Sequence, residues 1–220
     1  MNVSEAVLTR RSVRAFLDTP VPLNVLRDVL EKARWTPSGC NFQPWEATVL
    51  SGEPLRQLQE RMLASAPQDP LEYDWSAPEV IPACKERLNR VGAAMYGAMD
   101  VARDDAELRA EFMRANTVSF GAPAVLVCYL PRVMKEPQWS DMGMWLQTVM
   151  LLLSEAGLDS CPQEFLSMYA RLIKDFLGVS DESHILFCGL AIGYRAPDAK
   201  VNGFVRERVP LDENVRFLGF

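Results

Sequence analysis

From Leu23 onward, Leu26, Val29, Leu30 and Ala33 recur at helical spacing with Arg27, Asp28, Glu31 and Lys32 between them, which predicts an amphipathic helix. A short helix precedes it, where Ser4 and Glu5 stand ahead of Ala6, Val7 and Leu8, and Pro20 and Pro22 break the chain afterwards. Alternating and β-branched content after Pro44 predicts a strand over Trp45–Ser51, and Leu55–Ser65 returns to a helical pattern. Pro67, Pro70, Pro78 and Pro82, with Asp69, Tyr73 and Asp74, predict an irregular loop or lid in which Tyr73 and Trp75 could stack on flat substrates. The alternative is a packed surface loop. From Cys84 to Phe112 the composition favours helix, weakened at Gly92 and Gly97.

The run AVLVCYL, bounded by Pro123 and Pro131, is apolar without a break and predicts a central strand covered on both faces. Asp141–Ala156 is apolar almost all the way round, so this helix must be buried, against the core or a partner, with Gly157 as its stop. Leu166–Leu177 predicts another amphipathic helix ending at Gly178, and Ile185–Tyr194 a second apolar strand. Few strands among many helices, with no internal repeat, make this an α+β chain organised as one domain over 1–220.

Composition narrows the functional classes. The 220 residues carry a net charge of −6, which disfavours a nucleic-acid partner. His184 is the only histidine, which removes zinc sites built on two imidazoles, and no metal site is expected. The odd count of five cysteines, without CxxC pairing, suits a reducing compartment. Neither a signal peptide nor a run able to span a bilayer is apparent, so no membrane partner and a cytoplasmic location are expected.

Arg10, Arg11, Ser12 and Arg14 concentrate positive charge near a predicted helix end, and Arg206 and Arg208, two apart, share one face if the tail is extended. A phosphate dianion could bridge the two clusters; the alternative is two solvated patches paired with surplus carboxylates. In Thr36–Trp45, TPSGCNFQPW, small residues and the amides Asn41 and Gln43 could hold a flat polar ring, or the segment is a connecting loop anchored by Trp45. Ser160–Phe165 lies between two predicted helices, where free N–H groups could face a ligand or simply link the helices. With His184 as the only imidazole, serine and cysteine triads are disfavoured, Cys161 included. The pairs Asp104–Asp105 and Asp181–Glu182 read as solvated, and Gly189 and Gly193 lack the GxGxxG arrangement.

RRSVRAF at 10–16, PSGCNFQPW at 37–45, CPQEF at 161–165, GLAIGY at 189–194 and FVRERVPLDENVRF at 204–217 together resemble, in order, the FMN-dependent nitroreductase family. The match covers nearly the whole chain and is least over 53–120, within which 65–112 would be a variable lid and helical region. The resemblance implies a mainly antiparallel central sheet surrounded by helices, in an intertwined homodimer that exchanges C-terminal segments and holds FMN at the interface. Carried over by motif, Arg10, Ser12, Arg206 and Arg208, with Arg11 beside them, would hold the ribityl phosphate, and Arg14 would lie toward the flavin N1 and O2 edge. Pro37, Ser38, Gly39 and Asn41 would come from the other subunit. Pro162, Gln163 and Glu164 would line one ring face, with the Glu164 N–H near N5. Gln163, Glu164 and Phe165 depart from the Glu-Gly that many members carry here, and Asn116 is a candidate for contact with the flavin pyrimidine.

The implied activity is hydride transfer from NAD(P)H through FMN to a small nitroaromatic or quinone by a ping-pong cycle, with no protein nucleophile. Other reactions on the same scaffold (reductive dehalogenation, flavin fragmentation, dehydrogenation) and a non-catalytic flavin-binding dimer are the alternatives.

Overall fold

Helix α1 (Val3–Thr9) is fixed by a capping box: the Asn2 side chain accepts from the Glu5 N–H at 2.9 Å, and the Glu5 carboxylate accepts from the Asn2 N–H at 2.8 Å. This computed structural model describes residues 1–220 except 76, 78 and 79, so Pro78 of the expected loop lies outside the described residues. Helix α2 (Leu23–Ala33) buries Leu26, Val29 and Ala33, as its spacing predicts. Strand β1 (Glu46–Ser51) and helix α3 (Gly52–Leu63) follow. The single helix expected over 84–112 is instead two, α4 (Pro82–Ala98) and α5 (Ala106–Arg114). The break falls after Gly97, where Asp100 adopts a positive φ, and Asp105 restarts the chain by accepting from the Leu108 N–H at 3.0 Å.

Strand β2 (Ala124–Pro131) precedes helix α6 (Glu136–Glu155), strand β3 (Asp159–Gln163), helix α7 (Ala170–Leu177), strand β4 (His184–Gly193) and the short helix α8 (Leu211–Asn214). The strands form one antiparallel sheet in the order β1-β2-β4-β3. Strand β2 is central and covered on both faces. Leu126, Cys128 and Leu130 pack in the cluster that contains α2 and α6, while Val125, Val127 and Tyr129 pack with α3 and α7. Each large apolar side chain so buried contributes about 1.5–3 kcal/mol. Cys128 and Cys188 face each other across β2 and β4 as free thiols. Helix α6 buries Met142, Trp145, Leu146, Val149, Met150 and Leu153 within its own chain and leaves Met144 exposed.

Strand β3 replaces the helix-linking turn expected over 160–165. Pro162 reads as a breaker, yet β3 is the last strand of the sheet, an edge position where a missing N–H costs no ladder bond, and pairing with β4 overrides local propensity. The helical start expected there is a 3₁₀ segment, Glu164–Tyr169, that leads into α7, and Gly178 closes α7 in the left-handed conformation.

Within the loop between α3 and α4, residues 72–75 are fastened to the body of the protein. Tyr73 Oη donates to the Phe187 carbonyl at 2.5 Å and packs edge-on against Trp139, and Trp75 Nε1 donates to Ser167 Oγ at 3.2 Å. Buried Glu72 accepts from Lys174 Nζ at 2.6 Å, from Arg132 at 3.0 Å and from the Leu186 N–H at 3.1 Å. Lys174, itself fully buried, also pairs with Asp181 at 2.5 Å, while the Asp181 side chain stays 53% exposed, solvated as expected but with an ion partner on its inner side. The hydrogen bond from Lys174 lowers the Asp181 pKa.

Candidate functional site

The segment after α1 runs along the open edge of the sheet. Val13 N donates to the Ser160 carbonyl at 3.0 Å in a parallel bridge between Ser12 and Ser160, and Phe16 bridges Arg195. Gly193 permits this approach, because a Cβ there would stand 2.7 Å from Pro123 and 3.0 Å from the Phe16 ring. Buried Asn202 pins the same segment by accepting from the Arg14 N–H at 2.9 Å and donating to the Ala15 carbonyl at 2.8 Å.

The tail returns to this place. Arg206 donates to the carbonyls of Arg10 and Leu8, the latter at 2.7 Å, and Arg11 donates to the Phe204 carbonyl. Arg10, Arg11, Ser12, Arg14, Arg206 and Arg208 therefore line one cleft of about 480 Å³, although they come from opposite ends of the chain. Among the described residues, none of these five arginines has a carboxylate within 4.0 Å, which sets aside the two-solvated-patches reading. Burial, then repulsion from Arg206 and Arg208, lowers the Arg10 pKa, and burial with Arg208 and Arg195 does the same at Arg206. Guanidiniums clustered around one cleft without a carboxylate partner attract an anion.

Strand β3 extends the site from this cluster. Cys161 lies within the field of Arg14 and Arg10, yet burial pushes its thiol up to about 11, so it stays protonated and is no nucleophile. Two residues on, Gln163 is buried and donates from Nε2 to Asn116 Oδ1 at 3.2 Å and to the Asn116 carbonyl at 3.0 Å, while Pro162 and Glu164 are exposed on either side. Buried side-chain polar atoms without a partner occur at Arg10 Nε, Ser160 Oγ and Gln163 Oε1, all on these two adjacent segments. Such orphans mark where a polar ligand belongs. The donor set and the unpartnered atoms suit a phosphate-bearing, hydrogen-bonding cofactor such as FMN.

Pro37, Ser38, Gly39 and Asn41 lie outside the lining of this cleft. Their loop is exposed, with positive φ at Cys40, Asn41 and Gln43, and is anchored by buried Asp141 of α6, whose carboxylate oxygens accept from the Gly39 N–H at 3.2 Å. Trp45 stacks on Trp145 with ring centroids 6.1 Å apart, as a core-anchored loop end would.

Arg87, Leu88, Arg90, Val91 and Ala94 of α4 also line the cleft and were not singled out from the sequence. Their three- and four-residue spacing, mixing cations and aliphatics on one helix face, is a signal by which the sequence could have marked them. Asp141 and Asn202 carry no such signal.

The sequence profile described as the Nitroreductase family matches residues 7–194. The chain belongs to this family. Within it, the chain is 35% identical over 216 residues to a 4-nitrobenzoate reductase of Pseudomonas putida, covering 97% of this chain and 94% of that protein. It is 34% identical over 210 residues to nitroreductase NfnB of Mycolicibacterium smegmatis, covering 94% and 89%. Among solved structures, the FMN and NADPH-dependent nitroreductase NfnB from Sphigopyxis sp. strain HMH superposes with a TM-score of 0.95 at 43% identity over the whole of both chains. The nitroreductase-like α+β fold expected from the motifs is the fold observed. Among the described residues no helix is long and apolar enough to cross a membrane.

Proposed function

We propose that this protein is an FMN-dependent oxidoreductase that takes hydride from NAD(P)H and reduces nitroaromatic compounds and quinones in alternating half-reactions. The observation that carries the reading is the cleft where Arg10, Arg11, Arg14, Arg206 and Arg208 converge without a carboxylate partner among the described residues, in a chain of the nitroreductase family. FMN, when bound, supplies the redox chemistry. Arg10, Ser12, Arg206 and Arg208 hold its phosphate with Arg11 adding charge, and Arg14 offers positive charge to the N1 and O2 edge. Pro162, Gln163 and Glu164 line one face of the ring, with the Glu164 N–H as donor to N5. Gln163 donates to Asn116, which supports Asn116 as a residue that positions this strand beside the ring.

The same reading makes the protein a cytoplasmic homodimer in which the partner subunit's loop at 37–41 completes the pocket. Support comes from the tail, where Val205, Leu211, Phe217, Leu218 and Phe220 are exposed in the single chain. Anaerobic mixing of the flavin-loaded protein with NADPH and with NADH, followed by nitrobenzoate or a quinone, tests the activity. Bleaching by a nicotinamide and recovery by an acceptor are expected. Stable flavin colour with both nicotinamides would instead return a non-catalytic flavin-binding dimer. Light scattering checks the dimer.

A further inference from the structure

The cleft holds more positive charge than one phosphate requires. Beyond the arginines at 10–14 and 206–208, Arg87 and Arg90 of α4 line the same cavity, and Leu88 and Val91 beside them are 48% and 46% exposed. Arg87 is 3.6 Å from Glu213, and Arg90 is 3.2 Å from Glu207 and 3.1 Å from Glu86 one turn back on α4, with all five side chains between 41% and 68% exposed. Pairs so open to water are weak, and they orient the guanidiniums without neutralising them against a stronger anion. A phosphate dianion that reaches both arginines competes with Glu86 of α4 and with the tail carboxylates Glu207 and Glu213, and gains two charge-assisted bonds.

We propose that Arg87 and Arg90 form a second anion subsite, for the 2′-phosphate of NADPH, and so set a preference for NADPH over NADH. The inference rests on the oxidoreductase reading above and adds the choice of donor to it. The ligand chemistry follows from the surface: two forked cations beside exposed aliphatic side chains suit a phosphate carried next to a flat apolar base. An adenosine 2′-phosphate has that composition, and NADH lacks the phosphate. The cavity, at about 480 Å³, is within the range of small-molecule pockets.

Calorimetric titration of the flavin-loaded protein with 2′,5′-ADP and with 5′-AMP reads the subsite without turnover. The wild-type protein is expected to bind 2′,5′-ADP at least ~10-fold more tightly, and the double variant Arg87→Ala, Arg90→Ala to bind both ligands alike while keeping its full flavin content. In steady state the variant should raise KM for NADPH ~10-fold, leave KM for NADH unchanged and leave kcat unchanged. Equal binding of the two ligands by the wild-type protein overturns the proposal, as does a variant that still discriminates. Loss of flavin from the variant overturns it too, by assigning these arginines to the cofactor phosphate. A wild-type protein that takes up no flavin fails the oxidoreductase reading itself, and is recognised before any titration.

Discussion

Ser12 lies in register beside Ser160 on the outer edge of β3, and this single bridge joins the N-terminal cations to the strand that ends at Pro162 and Gln163. The phosphate-binding and ring-lining halves of the proposed site are thereby parts of one rigid edge. Removing Arg206 and Arg208 together to Ala should lower flavin affinity by about 100-fold, taking about 1.5 kcal/mol for each lost charged hydrogen bond. The ratio of visible flavin to protein absorbance after purification checks this. Stoichiometric flavin in the variant would remove both residues from the phosphate role.

Glu72 is the buried carboxylate that ties the loop before α4 to Lys174, Arg132 and the Leu186 N–H. Glu72→Ala should cost about 2–3 kcal/mol, because the buried Lys174 ammonium loses its buried carboxylate and keeps only the exposed Asp181 and the His184 carbonyl, whereas Glu72→Leu with Lys174→Met should cost much less. Urea midpoints of the two variants distinguish them.

Asp181 adds a pH dependence to the same network. Its folded-state pKa lies below the ordinary 3.8, so the stability it contributes is present above that value and is lost as pH falls through the folded-state pKa. The Asp181→Asn protein should therefore show a flatter fall in Tm below about pH 4 than the wild-type protein. Parallel acid-side melting curves test the difference.

Much of this arrangement was legible in the sequence. The periodicity at 23–33, the unbroken apolar runs at 124–130 and 185–194, and Gly157 and Gly178 as helix stops reflect local patterning that packing reinforces. The convergence of Arg10 and Arg206 was legible through the family resemblance, since charge density alone left it open against two separate solvated patches. Strand β3 was not, since DSCPQ has little strand propensity and owes its conformation to β4. Asp141 was also hidden: inside an apolar helix nothing in sequence spacing ties its carboxylate to the Gly39 N–H.

That link yields a further test. Asp141→Ala should free the loop at 37–41 and raise KM for both nicotinamide and acceptor several-fold, with Asp141→Asn intermediate because the amide oxygen still accepts one bond. A variant with unchanged KM values would show that the loop holds its position without this anchor.

Cysteine chemistry separates by burial. Iodoacetamide at pH 8 should label exposed Cys40 and spare Cys161, whose thiol is pushed up to about 11, and Cys161→Ser should retain turnover. Peptide mass spectrometry of the native protein reads both sites.

The hydrogen bonds from Arg206 to the carbonyls of Leu8 and Arg10 carry a consequence for truncated chains. The sheet is complete at Gly193, but the anion cleft is closed only once the tail through residue 208 has folded back on the N-terminal segment. A chain that stops before residue 204 would bring only the arginines at 10–14 to the proposed phosphate site.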